Sequence, residues 1–243
     1  MSTQKNKCNL LREQFGNFKK AVVVGNGPSA NSVDWDQVND SQKRSDVVFL
    51  STNRISLLFE KTKWRPDIYS CFTSVSLTDS VWRESVDKCL KDDKIFSFVF
   101  EAYRQISNLE NFHDNVCFVE KVGEHYRHSD VPKDFINVSL EDAFLKSYSA
   151  TTTLFQMCDF LGIEKIGVIG QDGYIFDRGK NHFDDSYKYE TASFEKANTR
   201  ILKVHKELKR YFYDKGVSIY NLSSKSILGD LYPCMTLENF IKE

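Results

Sequence analysis

Three short stretches hold the residues whose types and spacing suit chemistry. Gly25-Asn26-Gly27-Pro28-Ser29 offers two glycines, an amide and a hydroxyl at one turn. Glycines let a backbone approach a ligand closely, Pro28 suits the first position of a helix, and amides and hydroxyls there can meet a phosphate or a sugar. Gln171-Asp172-Gly173-Tyr174 adds an amide, a carboxylate and a phenol. His182 follows shortly after, and its near-neutral reference pKa lets it take a proton from a hydroxyl. This set excludes some chemistries. The third glycine of a dinucleotide fingerprint is replaced by Ala30 or Asn31, depending on register, and there is no phosphate-loop lysine or G-x-S-x-G elbow. Asp34-x-Asp36 has formal metal-motif spacing, but directly after a strand an aspartate reads as a helix cap.

The elements that must position these residues follow from apolar patterning. Val22, Val23 and Val24 form a buried-strand run ending at the glycine turn, and similar runs lie at 46–51, 68–72, 94–100, around 116–119, 163–169 and 217–222. Helical spacing intervenes at 55–59, 77–90, 147–161 and 191–213, and residues 1–19 read as a lead-in with a short amphipathic helix. Residues 121–146 have no sustained period and are long enough to include a lid. Strand, polar tip and helix in alternation predict a single α/β domain over 1–243, a doubly wound, mostly parallel sheet with helices on both faces. In such sheets the ligand crevice lies outside the carboxyl ends of the strands. The tips collect Asn26, Ser29, Asn53, Thr73, Ser74, Gln171, Asp172, Tyr174, Asn221, Ser223 and Ser224. This neutral, hydrogen-bonding set with one carboxylate suits a ribose, an amide-bearing base and a hydroxylated sugar. Thr151 and Thr152, with Ser149 and Thr153, place more hydroxyls at one helix start than a cap needs.

Composition narrows the class. A formal net charge of −1 supplies no field for nucleic acid or an anionic membrane. The six cysteines are scattered, several within apolar runs, which fits buried free thiols in a reducing compartment rather than disulfides or zinc ligands. The polar start lacks the apolar core of a signal peptide, and no apolar run is long enough to span a bilayer. A cytoplasmic protein is expected, and its exposed aromatics could serve a homo-oligomer interface.

The motifs V-V-V-G-N-G-P-S, the Asn53 strand tip and L-G-I-E-K-I-G-V-I-G-Q-D-G-Y resemble the bacterial sialyltransferases of glycosyltransferase family 42. They also resemble the wider clan of motility-accessory flagellin glycosyltransferases and hydroxymethylpterin diphosphokinase-like proteins. The resemblance implies a Rossmann-like domain and inverting, metal-independent transfer of an acidic sugar (sialic acid, Kdo or a related nonulosonic acid) from a CMP-sugar. The acceptor would be a glycan or protein hydroxyl, as in lipopolysaccharide or capsule biosynthesis. No cofactor is required in that chemistry. Carried onto this chain, Gly25, Asn26, Gly27, Pro28 and Ser29 would hold the nucleotide, and Asn53, with Thr73, Ser74 and Gln171 nearby, the cytidine or donor sugar. Thr151 and Thr152 would meet the donor carboxylate. Tyr174 would neutralise the departing phosphate beside Asp172, and His182 would be the base. Where the family carries an arginine before the hydroxyl-rich helix, this chain has Ser147. Two other activities remain open on these residues: an ATP-dependent diphosphokinase using Asp34, Asp36 and Asp172 for Mg²⁺, and a nucleotide-binding module without turnover.

Overall fold

A computed structural model describes residues 4–42, 46–120, 139–141, 144, 149–173, 182–184, 186 and 193–243. Its centre is a seven-stranded sheet in the order β5-β4-β3-β2-β1-β6-β7. The strands are β1 (Lys20–Val24), β2 (Val47–Thr52), β3 (Ile68–Cys71), β4 (Phe96–Phe100), β5 (Val116–Val119), β6 (Lys165–Ile169) and β7 (Ser218–Asn221). Every neighbouring pair is parallel. The helices are α1 (Gln4–Phe15), α2 (Trp35–Gln42), α3 (Val75–Thr78), α4 (Ser80–Leu90), α5 (Tyr103–Ile106), α6 (Thr151–Leu161), α7 (Phe194–Asp214) and α8 (Leu237–Lys242). The expected single α/β sheet is what forms.

The burial pattern explains why these runs make strands. Ala21 and Val23 of β1, with Val48 and Leu50 of β2, enter one core layer together with α1, α6 and α7 side chains. Val22, Val24, Val47 and Phe49 enter the opposite layer with Trp35, Val86, Leu90 and Phe240 from α2, α4 and α8. A strand covered on both faces must be apolar at consecutive positions, since successive side chains alternate between faces.

Some expected elements differ in detail. The helix expected over 77–90 breaks at Asp79, whose carboxylate accepts from the backbone N–H groups of Val81 (2.8 Å) and Trp82 (3.0 Å) and starts α4. Such a cap stabilises a helix by about 1 kcal/mol. The segment after β2 forms only a 3₁₀ turn, Ile55–Leu58. The long helix begins at Phe194, with the Ser193 hydroxyl accepting from Lys196 N–H. Of the stretch considered for a lid, residues 121–138 lie outside the described residues, while Leu140 and Phe144 are core residues. Five cysteines are buried and Cys234 is exposed. No helix among the described residues is long and apolar enough to cross a membrane.

The chain winds outward from β1 to β5, then returns to place β6 on the other side of β1. The sheet therefore has its topological switch point between β1 and β6, where the two connections diverge and leave a crevice.

His205 on α7 is fully buried. Tyr232 Oη donates to the His205 carbonyl at 2.9 Å, so its oxygen accepts from Nδ1–H at 3.1 Å and Nε2 is left without a partner among the described residues. Burial pulls its pKa down to about 3. The unfolded chain takes up this proton near pH 6.5 and the folded chain does not, so stability is full above 6.5 and lost as pH falls toward 3. Chemical denaturation of the wild type should show about 2 kcal/mol lost between pH 6.5 and 5 through this group. His205→Phe, which cannot titrate, should flatten that slope; an identical slope in the two proteins would refute the assignment.

Candidate active site

The site is built where β1 and β6 end side by side. Gly25 N–H donates to Ile169 O at 2.8 Å and Gly27 N–H to Gly170 O at 2.7 Å, continuing the ladder past the strands. A Cβ on Gly25 would lie 2.3 Å from Gly170 O, and one on Gly170, whose φ is +71°, would lie 2.3 Å from Gly25 O. Both positions need glycine because backbone meets backbone with no room for a methyl group. Pro28 then opens a 3₁₀ turn, Pro28–Ser32.

Asp172 ties this turn to two other elements. Its Oδ2 accepts from Ser29 N–H at 2.7 Å and its Oδ1 from Ser223 Oγ at 3.2 Å, so one carboxylate joins the tips of β1, β6 and β7. The Ser29 hydroxyl in turn accepts from Gly170 N–H at 2.9 Å. Asp172 is buried, which raises its pKa, while hydrogen bonds from Ser29 and Ser223 hold it down. These bonds give the buried carboxylate a structural role: it fixes the turn.

A second network covers the start of α6. Thr151 Oγ1 and Ser149 Oγ donate to Gln171 Oε1 at 2.6 and 2.9 Å, and Thr152 Oγ1 donates to Ser149 O. The hydroxyl surplus thus joins α6 to the tip of β6, while Ala150 at the N-cap position supplies no side-chain cap.

Asn26 is buried at the centre of the turn. Its Nδ2 donates to Thr52 O at 2.9 Å, and its Oδ1 has no partner among the described residues. An unpaired buried acceptor costs on the order of 1–3 kcal/mol, and a ligand N–H or O–H would satisfy it. Beside Thr52, Asn53 is the one non-glycine with positive φ (57°) among the described residues. Tyr69 Oη donates to its carbonyl at 2.6 Å. Asparagine tolerates this left-handed conformation better than most residues.

His182 reaches the same place. Its ring hydrogen-bonds to the Asn26 backbone, and Phe183 N–H donates to Asn26 O at 2.9 Å. Burial pulls the imidazole pKa down to about 4, the Asn26 bond opposes this, and the nearby charge of Arg54 adds to the lowering. The ring is neutral at physiological pH, as a proton acceptor must be.

The structure therefore brings Gly25, Asn26, Gly27, Ser29, Thr151, Gln171, Asp172 and His182 to the switch point, with Asn53 at the adjoining tip. Thr73 and Ser74 stand at the tip of β3, where their carbonyls accept from Ser76 and Leu77 as α3 opens. Tyr174 and Ser147 lie outside the described residues. Arg54 and Ser226 were not singled out as site residues. Ser226 Oγ donates to Gln171 O at 2.8 Å and is signalled only by its closeness in sequence to Ser223. Asp34 Oδ1 accepts from Gln37 N–H at 3.1 Å, the expected cap, and Asp36 Oδ1 accepts from Thr62 and Lys63. Among the described residues, no three His, Cys, Asp or Glu side chains converge as a metal site.

No protein-family model matches the chain, and neither does any curated protein. Its fold is shared with a solved glycosyltransferase. The MAf glycosyltransferase of Magnetospirillum magneticum AMB-1 superposes at TM-score 0.51 and 11% identity over 96% of this chain, which spans 38% of that protein. The sialyltransferase CstII from Campylobacter jejuni, solved with cytidine-5'-monophosphate, aligns at TM-score 0.40 and 13% identity over 89% of this chain and 84% of its own. The same enzyme with a trisaccharide acceptor and CMP gives 0.41 and 13% over 89% and 86%. These neighbours belong to the family and clan that the motifs resemble.

A methyl group at Gly27 would lie 2.5 Å from Asp172 Oδ2 and 2.7 Å from Gly170 O. Gly27→Ala should therefore lower unfolding free energy by about 1–3 kcal/mol. The control Gly229→Ala, whose new methyl comes no closer than 3.4 Å to any atom, should stay within about 0.5 kcal/mol of wild type in the same denaturant titration. Equal effects at the two positions would refute the close-packed turn.

Proposed function

We propose that this protein is a glycosyltransferase that moves an acidic sugar from a CMP-sugar to a hydroxyl of a glycan or glycoprotein, with inversion. The observation that carries the reading is the meeting of His182 and Asn26 at the switch point, a neutral imidazole bonded to the backbone of the residue whose buried Oδ1 lacks a partner. The fold shared with MAf glycosyltransferase supports glycosyl transfer, and the sequence resemblance to the sialyltransferase family supports the choice of donor.

In this reading the turn at Gly25–Ser29 receives the nucleotide, and Asn26 Oδ1 accepts a hydrogen bond from a ribose hydroxyl or a base amino group. His182 takes the proton of the acceptor hydroxyl as that oxygen attacks the anomeric carbon of the donor. The bond from that carbon to the CMP phosphate oxygen breaks in the same step, and CMP leaves with the electron pair. Thr151 and Thr152 would meet the donor carboxylate, their hydroxyls held by Gln171 Oε1 and the Ser149 carbonyl respectively, and Tyr174 would stabilise the departing phosphate. Asp172 acts by holding Ser29 and the turn. The reaction needs no cofactor.

Three measurements test this. CMP at about a hundredfold above its dissociation constant should stabilise the fold by roughly 2.7 kcal/mol, with or without EDTA. His182→Ala should keep that shift and lose about 10²–10⁴ in turnover of a CMP-sugar. The base is active when neutral, so turnover should hold from pH 8 down past 6 and fall only as pH approaches about 4. Stabilisation by ATP that EDTA abolishes would replace this reading with diphosphate transfer. CMP binding without turnover of any CMP-sugar would leave a binding module. Full turnover in His182→Ala would remove the base.

A further inference from the structure

The residues around His182 are fastened from both sides of the crevice. Phe183 is buried in the core layer that also holds Val24, Ala30 and Trp35. Its N–H donates to Asn26 O, and its carbonyl accepts from Asn31 Nδ2 at 2.6 Å, so the β1 turn grips the main chain on both sides of this residue. From the other side, Arg54 Nη1 donates to Ser186 O at 3.0 Å, and Lys61 Nζ meets Asp184 Oδ2 at 2.8 Å. Asp184 Oδ1 accepts from Ser186 N–H and Oγ, making His182–Asp184 and Ser186 one locally braced unit.

Arg54 is the unusual member. It directly follows the left-handed Asn53 at the exit of β2 and is only 4% exposed, with Nε donating to Ser85 Oγ at 3.2 Å. Burying a guanidinium costs several kcal/mol of solvation, and apolar residues of similar volume often stabilise such positions as well or better. Packing alone does not call for a cation here, whereas holding a backbone carbonyl beside a base does.

We propose that Arg54 is the positioning residue of His182, clamping the imidazole-bearing segment against the β1 turn through the Ser186 carbonyl. The proposal rests on the reading of His182 as the base. Burial is the main cause of the ring's low basicity and the charge of Arg54 adds to it, so one side chain places the base and contributes to its ionisation. Among the described residues, the same segment carries Asp184, which is paired with Lys61, and Asp172 lies across the β1 turn, hydrogen-bonded to Ser29 and Ser223.

The test compares Arg54→Gln, Arg54→Lys and Asn31→Ala in the full chain. The His182 imidazole is titrated by NMR, its signal assigned by its absence in His182→Ala, and kcat and KM are measured with a CMP-sugar. Arg54→Gln should raise the titration midpoint by roughly half a pH unit or more and lower kcat about tenfold to a hundredfold at near-constant KM. Arg54→Lys should restore the midpoint and part of kcat. An unmoved midpoint in folded Arg54→Gln, or kcat unchanged, overturns the proposal. Should Arg54→Gln fail to fold, Asn31→Ala decides, because it removes an exposed anchor of the same segment: kcat should fall with CMP affinity retained, and an unchanged kcat overturns the clamp. The NMR titration needs no turnover, so a failure of the clamp is distinguishable from a failure of the base, which His182→Ala reports separately.

Discussion

Everything at the site depends on two glycine backbones pressed together at the ends of β1 and β6. Gly25 and Gly170 approach so closely that a methyl group on either would sit 2.3 Å from the other's carbonyl oxygen. This contact keeps two diverging connections together just beyond the sheet, at the point where a doubly wound fold opens a crevice. Ladder bonds alone would stop at Val24 and Ile169. The extra bonds from Gly25 and Gly27 carry the pairing on to Gly27 and Gly170 and hand the chain to Pro28 in a fixed direction. Asn26, between the two glycines, is thereby buried with its amide held over Thr52 O.

A turn this tight leaves polar groups that sequence-local bonding cannot satisfy, and the surrounding tips supply the partners. Asp172 accepts from Ser29 and Ser223, Gln171 accepts from Ser149 and Thr151, and Ser226 returns a hydroxyl to Gln171 O. Fully bonded buried networks rigidify a site, whereas a partly bonded one would be costly. Against that background the Oδ1 of Asn26 stands out, because it is buried with no partner among the described residues. The hydroxyls at the start of α6 have the same double character. They are needed inside the protein, so their number alone does not measure affinity for an anion.

How much of this was legible in the sequence follows from the range of the interactions involved. The strands were readable because a strand buried on both faces needs consecutive apolar residues, and Val22 to Val24 and the run ending at Ile169 have no other use. The glycine turn was readable because glycine and proline restrict or release the backbone locally. The break at Asp79 was missed because Leu77 and Val81 keep an apolar period on both sides of the cap. The burial of Arg54 and of His205 was not legible at all. Both depend on partners distant in sequence, Ser186 for one and Tyr232 with Phe155 for the other. No local pattern marks a charged or titratable residue that tertiary packing will enclose.

Fully buried His205 and half-buried His182 show what the geometry adds to electrostatics. Burial pulls both pKa values well below the usual histidine range, to about 4 for His182 and about 3 for His205. By that measure His205 is the more perturbed of the two, and a search for functional residues by pKa alone would rank it above His182. Its surroundings say otherwise. It lies edge-on to the rings of Phe155 and Tyr232, in the core layer that holds α6 and α7. His182 stands at the carboxyl end of the sheet, bonded to the Asn26 backbone, on a segment held by Arg54, Lys61 and Asn31. Depressed basicity means destabilisation at low pH in one place and a neutral proton acceptor beside a crevice in the other. What separates them is the position of each ring relative to the switch point of the sheet, and that position traces back to the contact between Gly25 and Gly170.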